Sequence, residues 1–255
     1  MVRYEVNAGR ATITIDDPER MNPLSVEVMN ELAVATRSAI EDRETRVIVY
    51  TGAGEKAFSA GGDLSGSFVD DAIGLHKARG ALGDLFRLMM RGGKPTVARV
   101  NGHAIAGGFG LAVACDVTIC VDDARLGTSE ISIGLWPMMI SAILSRAMPR
   151  KGALELMLTG RLIDPEEALS LGAVSRVVAR SELDEAVDAV VERLLSLSPS
   201  ALMIGKDSFF GMADAGLDSA LDRLHTGLTE IALTEDAREG VAAFLEKRDP
   251  RFLGR

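Results

Sequence analysis

The sequence predicts a mixed α/β core in residues 1–195 and a helical region in residues 196–255. Short apolar runs typical of buried strands, followed by loops of small residues, fill most of the first part. Helical periodicity dominates after about residue 180. With 255 residues and 47% apolar content, the chain can bury one sizeable core.

The first predicted elements are a β-hairpin and an amphipathic helix. Apolar runs at Arg3–Val6 and Ala11–Ile15 flank Asn7–Arg10, whose Asn and Gly suit a tight reversal. Ser25 can cap the next helix, in which apolar residues between Val28 and Ile40 lie on one side. The chain therefore opens with a β-ribbon that leads into a core-facing helix.

Three later apolar runs are typical of strands buried on both faces. They are Val47–Tyr50, Pro95–Val100 and Val117–Val121. A glycine-rich loop, Thr51–Gly66, follows the first run, and helical periodicity covers about Asp70 to Met90. These segments indicate a strand, loop and helix order that repeats.

The remaining segments are predominantly helical. Small residues at Ala106–Gly110 precede a helix-compatible stretch, Leu111–Cys115. Beyond Pro137 helices dominate, and only Ala173–Val178 has an extended pattern. The apolar residues of Leu183–Leu195 are spaced as one face of a helix.

Charge and cysteine content narrow the class of protein. The net charge of −9 and pI near 5.0, with scattered basic residues, argue against partners such as nucleic acid or an anionic membrane. Cys115 and Cys120 lie in an apolar stretch, which indicates reduced, buried thiols. The N-terminus lacks the apolar core of a signal peptide, and no run reaches the roughly 18 apolar residues of a membrane helix. We therefore expect a cytoplasmic protein with a small-molecule partner.

One glycine motif resembles a dinucleotide-binding turn. Gly52–Ala57 follows a strand with the spacing G-x-G-x-x-A. That fingerprint requires a helix to begin within the glycines, yet Phe58–Asp63 continues as a loop of small residues. We interpret the motif as a turn. A dinucleotide-binding dehydrogenase is therefore the least favoured class of protein for this sequence.

Two loops of small residues follow successive strands and are better candidates for chemistry. Ser59–Gly62 and Ala106–Gly108 would each let the backbone approach a ligand closely. Two backbone N–H groups that converge on one point form an oxyanion hole, in which each donor contributes about 3–4 kcal/mol. For either loop alone, a tight turn or helix packing is the simpler explanation.

These loops belong to a pattern that resembles the crotonase superfamily, the enoyl-CoA hydratase/isomerase family. The matching segments occur in family order along nearly the whole chain. They are Pro18–Ser25 (family pattern P-x-x-x-N-A-L-S), Ala57–Leu64 (A-F-[CSA]-A-G-x-D-[LI]), Pro95–Gly108 (K-P-V-I-A-x-V-N-G-x-A-x-G-G), Cys115–Asp116, Leu158–Arg161 (L-T-G-x) and Glu239–Arg248 (E-G-x-x-A-F-x-E-K-R).

The resemblance implies a spiral of repeated β-β-α units, with a C-terminal helical region that packs a homotrimer or a dimer of trimers. It also implies an oxyanion hole formed by the backbone N–H groups of Gly62 and Gly107. Coenzyme A would enter as part of a thioester substrate, with no metal and no further cofactor. The residues expected to bind that substrate are Ala60, Asp63, Leu64 and Gly108, with Arg20, Lys56 and Lys247 as candidates for its phosphates.

The acid–base residues depart from the hydratase pattern, which carries two glutamates. The first position is Gly110, whereas the second is kept as Glu130. Among apolar and small neighbours, desolvation would raise the pKa of Glu130 towards the range of a general base; a structural role in capping is the alternative. The proline that follows leads into Met138-Met139 instead of small residues, so Trp136 and both methionines could shape the acyl pocket or pack in the core.

A single carboxylate favours isomerisation of an enoyl-CoA, because the base can return the proton that it removed. Hydration by an ordered water or another side chain stays open, as does a non-catalytic acyl-CoA binder. Neither G-x-S-x-G nor a metal-ligand spacing such as H-E-x-x-H occurs. A serine hydrolase and a metalloenzyme are therefore not expected.

Overall fold

The computed structural model describes residues 1–63 and 72–255 of the chain. Predictions that fall on residues 64–71, including the role of Leu64, lie outside the described residues. The strands in chain order are β1 (Val2–Asn7), β2 (Arg10–Ile15), β3 (Val47–Gly52), β4 (Ala57–Ser59), β5 (Thr96–Val100), β6 (His103–Ile105), β7 (Val117–Val121), β8 (Leu126–Gly127), β9 (Leu162–Ile163) and β10 (Arg176–Val178).

Helices pack around these strands and continue as far as Glu246. In chain order they are α1 (Val26–Glu41), α2 (Ala72–Arg91), α3 (Gly107–Ala114), α4 (Met138–Ala147), α5 (Arg150–Thr159), α6 (Pro165–Ser170), α7 (Leu183–Leu195), α8 (Pro199–Met212), α9 (Leu217–Ala232) and α10 (Glu235–Glu246).

The larger sheet of the described residues has the strand order β1-β2-β3-β5-β7-β10. Its first two strands form the predicted hairpin, in which Ala8 and Gly9 have φ values of 47° and 84°. Positive φ at both turn residues matches the right-handed twist of the strands. The pairs from β2 to β10 are parallel, and all residues of β3 are buried. The central strands are therefore covered on both faces, as predicted.

The smaller sheet has the order β4-β6-β8-β9. Strands β4, β6 and β8 are parallel, with Ser59 paired to Ala104 and Ala104 to Leu126. Each of these strands follows a strand of the larger sheet and precedes a helix, so the chain repeats a β-β-α unit. This repeat confirms the predicted α/β spiral.

The sequence predicted the start of α1 correctly and the start of α3 incorrectly. Ser25 caps α1 as expected, because its hydroxyl accepts a hydrogen bond from the Val28 N–H at 3.2 Å. The prediction that α3 begins near Leu111 was wrong, since it begins at Gly107. Glycine has poor helix propensity, but here the absent side chain lets the first turn lie against the backbone of β4.

The C-terminal helices begin beyond α7, which packs its predicted apolar face against the larger sheet through Leu183, Val187 and Val191. Beyond Leu195, the chain forms helices α8 to α10. The buried Asp236 carboxylate accepts hydrogen bonds from Ser200 Oγ at 2.7 Å and from the Leu253 N–H at 2.7 Å. It therefore joins the start of α8 to the C-terminal tail.

Among the residues that the structure describes, no helix combines the length and the apolar composition needed to cross a bilayer.

Candidate active site

The candidate site lies where three neighbouring parallel strands end. Gly62 follows β4 by three residues, Gly107 follows β6 by two, and Glu130 follows β8 by three. The strands are adjacent in the order β4-β6-β8, and neighbouring strands lie about 4.8 Å apart. Their parallel direction brings the two predicted N–H donors and the predicted base to one edge of the smaller sheet.

The two glycine loops are in direct contact. A Cβ atom added to Gly61 would lie 2.7 Å from the Ala106 Cβ and 3.1 Å from the Gly107 nitrogen. A Cβ atom added to Gly107 would lie 3.9 Å from the Gly62 nitrogen. Gly61 has φ of 88° and Ala106 has φ of 51°, so both loops use backbone conformations that side chains disfavour. The two loops lie far apart in the sequence, and the fold makes them one surface.

The N–H groups of Gly62 and Gly107 donate no hydrogen bond within residues 1–63 and 72–255. Neighbouring N–H groups are paired: Asp63 donates to the Leu24 carbonyl at 3.2 Å and Ala106 to the Gly127 carbonyl at 2.8 Å. Gly107 is also the first residue of α3, whose N-terminus carries positive partial charge. Within the part of the chain that the structure describes, two adjacent backbone donors are therefore available to bind one oxygen atom.

Two buried asparagines hold the turn between β3 and β4 in place. The Asn22 amide donates to the Ala57 carbonyl at 2.8 Å, and the Asn101 amide donates to the Gly54 carbonyl at 2.7 Å. The side-chain oxygen of Asn101 also accepts the Gly52 N–H at 3.2 Å. We did not predict these positioning roles, although both residues lie in the matched motifs. Gly54 has φ of 75° and no helix begins there, which confirms that Gly52–Ala57 is a turn.

Glu130 begins a short 3-10 turn, Glu130–Ile133, that ends at Gly134 with φ of 78°. The Glu130 side chain is half-buried, and its Oε2 atom is buried without a hydrogen-bond partner among the residues that the structure describes. Burial raises the pKa of Glu130, and its own backbone N–H opposes that effect only in part. A carboxylate in this state is a stronger base than an exposed one.

Two of the predicted substrate-binding residues contact each other beside Gly62. Arg20 Nη2 donates to Asp63 Oδ2 at 2.6 Å. This ion pair joins the turn before α1 (Pro18–Arg20) to the loop that follows β4, called the β4 loop (residues 60–63). Ala60 lies on the same loop and its N–H donates to the Met21 carbonyl at 2.9 Å. Arg20 and Asp63 therefore hold the loop that presents the Gly62 N–H.

The other predicted residues are more dispersed. Gly108 is buried, and a Cβ atom on it would lie 2.4 Å from the Ser59 carbonyl, so it packs α3 against β4. Lys56 is exposed at the start of β4, and Lys247 ends α10, which packs against α8 and α9. Trp136 is half-buried against the core, whereas Met138 is 72% exposed.

A crevice of about 650 Å³ lies away from this edge of the sheet. It is lined by Gly93 after α2 and by residues of α8 and α9, including Met203 and Arg223. It includes none of the glycine-loop residues. This crevice is therefore separate from the candidate active site.

The fold is that of the crotonase superfamily. The structure superposes on the crystal structure of an enoyl-CoA hydratase from Mycobacterium smegmatis with a TM-score of 0.94 and 32% identity, over 98% of each chain. The model of the family described as enoyl-CoA hydratase/isomerase matches residues 5–255. The chain belongs to this family and is an enzyme.

Named relatives include both hydratases and dehydratases. A Thermus thermophilus protein, named provisionally as an enoyl-CoA hydratase, is 38% identical over 95% of this chain and 96% of its own. The carnitinyl-CoA dehydratase of Escherichia coli K12 is 32% identical over 98% of this chain and 97% of its own. Similarity therefore covers the whole chain.

Proposed function

We propose that this enzyme isomerises an enoyl-CoA by a mechanism with one carboxylate. The thioester carbonyl oxygen would lie between the N–H groups of Gly62 and Gly107, and Glu130 would move the proton. The observation that carries the proposal is the Glu130 Oε2 atom. Among the described residues it is buried without a hydrogen-bond partner, at the sheet edge where the Gly62 and Gly107 N–H groups lie.

The two N–H groups would stabilise the enolate, whose formation is the main barrier of the proposed isomerisation. Removal of the proton at C2 leaves its electron pair delocalised onto the thioester oxygen as an enolate. Backbone donors aimed at that oxygen stabilise it by about 3–4 kcal/mol each. Because these donors are already fixed by the packed loops, little reorganisation is needed during the reaction.

Isomerisation is the step that one carboxylate can complete. Glu130 would take a proton from C2 of a 3-enoyl-CoA, and the double bond would shift as the same proton is returned at C4. The enzyme and its base are then unchanged, and no metal or redox cofactor takes part. Asp63, the carboxylate next to Gly62, is held in its ion pair with Arg20.

Hydration of a 2-enoyl-CoA, or the reverse dehydration, is the second candidate function. The names of the relatives favour it, since they include an enoyl-CoA hydratase and a carnitinyl-CoA dehydratase. This reaction needs a group that activates water while C2 is protonated. An ordered water or another side chain would have to take the place of the missing glutamate.

Paired turnover assays separate these functions. Wild type and Glu130→Gln are given a 3-enoyl-CoA and a 2-enoyl-CoA, with the exposed Glu185→Gln as matched control. We expect wild type and Glu185→Gln to isomerise the first substrate, and Glu130→Gln to lose at least 100-fold in kcat. Binding of butyryl-CoA by calorimetry should be unchanged in all three.

Two other results would change the assignment. Rapid hydration of the 2-enoyl-CoA by wild type would favour the second function. Binding of butyryl-CoA without turnover of either substrate would favour a non-catalytic acyl-CoA binder. Isomerase activity retained in Glu130→Gln would show that another group is the base.

The pH profile gives an independent test of Glu130. As a base it acts in the ionised form, so kcat/KM should fall as the pH drops through its pKa. Because burial raises this pKa, the acid limb should have its midpoint above the ordinary glutamate value of 4.5. A midpoint at or below that value would contradict the assignment.

We also propose that the enzyme assembles as a homotrimer or a dimer of trimers through its C-terminal helices. Leu217, Leu228 and Leu233 are 75%, 65% and 68% exposed, and Phe244 is 83% exposed. Apolar side chains so exposed in one region indicate an interface between subunits. Sedimentation at micromolar concentration tests this assembly, and a monomer would refute it.

Lys56 and Lys247 remain the proposed contacts for the phosphates of the substrate.

A further inference from the structure

We infer that Ile140, at the start of α4, excludes a second acid–base group from the active site and thereby limits the enzyme to one carboxylate. This inference rests on the proposed function and deepens it. It comes from the packing around Gly110, a buried residue in the helix that begins at the proposed oxyanion hole.

Position 110 is well placed for such a group. Gly107 begins α3, and Gly110 lies one turn later on the same face, about 4.5 Å along the helix axis. A carboxylate there would also lie in the first turn of α3, where the helix dipole stabilises negative charge. Electrostatics therefore favours an acidic side chain at this position.

Steric contact with Ile140 opposes it. A Cβ atom added to Gly110 would lie 2.1 Å from Ile140 Cγ2 and 2.6 Å from Ile140 Cβ. Carbon atoms in contact are normally about 3.5–4.0 Å apart. The Phe86 ring, at 3.5 Å, borders the same position from α2. Any side chain larger than hydrogen at position 110 must displace Ile140.

Ile140 cannot move easily. It is 2% exposed, and its branched Cβ restricts the χ1 rotation. One of the two closest atoms is Cβ itself, which is fixed by the backbone of α4. The clash is therefore with a rigid part of the neighbouring helix and not with the end of a flexible chain.

The consequence is chemical as well as structural. Hydration requires one group to activate water and a source of a proton for C2. With position 110 closed and Asp63 held in its ion pair with Arg20, Glu130 is the carboxylate left to act at this edge among the residues that the structure describes. Opening the contact with a smaller residue at position 140 should allow a glutamate at position 110 and should bring hydration with it.

A double-mutant cycle tests the steric part. The four proteins are wild type, Gly110→Ala, Ile140→Ala and the double variant, each unfolded in urea. Gly110→Ala adds only the Cβ atom, so the variants should fold. We expect each single variant to have a lower unfolding midpoint than wild type, and the double variant to be more stable than the sum of the two losses predicts.

Activity tests the chemical part. Gly110→Glu, Ile140→Ala and Gly110→Glu/Ile140→Ala are assayed for hydration of a 2-enoyl-CoA. We expect the double variant to hydrate at least tenfold faster than wild type, with no gain in either single variant. Gly205→Glu, at a helical glycine with open space around it, controls for the substitution itself, and Gly110→Glu/Ile143→Ala controls for loosening α4 elsewhere.

Three results would each overturn the inference. Gly110→Ala could be as stable as wild type, the losses in the cycle could simply add, or the double glutamate variant could hydrate no faster than wild type. The double-mutant cycle measured by urea unfolding needs no turnover. It therefore separates failure of the steric inference from failure of the proposed function. Failure of wild type to isomerise a 3-enoyl-CoA would instead refute the proposed function.

Discussion

Gly61→Ala tests whether the contact between the two glycine loops creates the active site. The added methyl group would lie 2.7 Å from both the Ala106 Cβ and the Ile105 carbonyl oxygen, between the loops that carry the Gly62 and Gly107 N–H groups. The loops would have to separate by about 1 Å to restore a normal contact. Both donors would then leave their common position.

The expected size of the effect follows from the geometry. Alanine at the φ of 88° found at Gly61 costs about 1–2 kcal/mol, and overpacking of this kind costs about 1–3 kcal/mol. Stability should therefore fall by about 2–5 kcal/mol. Displacement of catalytic groups by about 1 Å reduces turnover about 100-fold, and we expect that loss in kcat with a smaller change in KM.

Turnover of a 3-enoyl-CoA and urea unfolding of the same preparations measure both effects. Gly205→Ala is the control, because an added Cβ atom would have no heavy atom within 4 Å apart from its own helix backbone, and alanine favours the helix. It should keep full activity with equal or greater stability. Wild-type kcat and stability in Gly61→Ala would refute the argument that the loops must touch.

Three further variants test other parts of the structure by urea unfolding. Glu130→Gln should be more stable than wild type at neutral pH, because burial disfavours the ionised form; the gain should vanish as the pH falls through the raised pKa towards 4.5. Asp236→Asn should lose stability at neutral pH. Burial alone would raise the pKa of Asp236, but its hydrogen bonds lower it overall, so wild type should lose this advantage as the pH falls below 3.8. Asn101→Ala leaves the Gly52 N–H and Gly54 carbonyl unpaired and should cost about 1–3 kcal/mol.

The long elements could be predicted from the sequence because each carries many residues of periodic pattern. The β1–β2 hairpin, α1 with its Ser25 cap, and the fully buried β3 all follow from local rules. Strands β4, β6, β8 and β9 contain only two or three residues. Such short segments have no measurable periodicity, so their pairing was not predicted residue by residue.

The candidate site was predicted in its residues but not in its contacts. Gly62, Gly107 and Glu130 could be selected from motifs, yet they lie far apart in sequence and meet only because β4, β6 and β8 are neighbours. The packing of Ile140 on Gly110 joins residues 30 positions apart on two helices. The Arg20–Asp63 ion pair likewise depends on how the turn before α1 meets the β4 loop.

The proposed site would stabilise negative charge with neutral dipoles. Such dipoles are compatible with a raised pKa of the proposed base, Glu130. A lysine or arginine beside the thioester oxygen would also stabilise an enolate, but its charge would lower the pKa of Glu130. The influences that act on the pKa of Glu130 are burial and its own backbone N–H. In the proposed mechanism the N–H groups of Gly62 and Gly107 would bind the developing oxyanion through partial charges that are fixed by the fold. A strong base and a stabilised enolate can then exist in the same site, because no full positive charge is needed to hold the enolate.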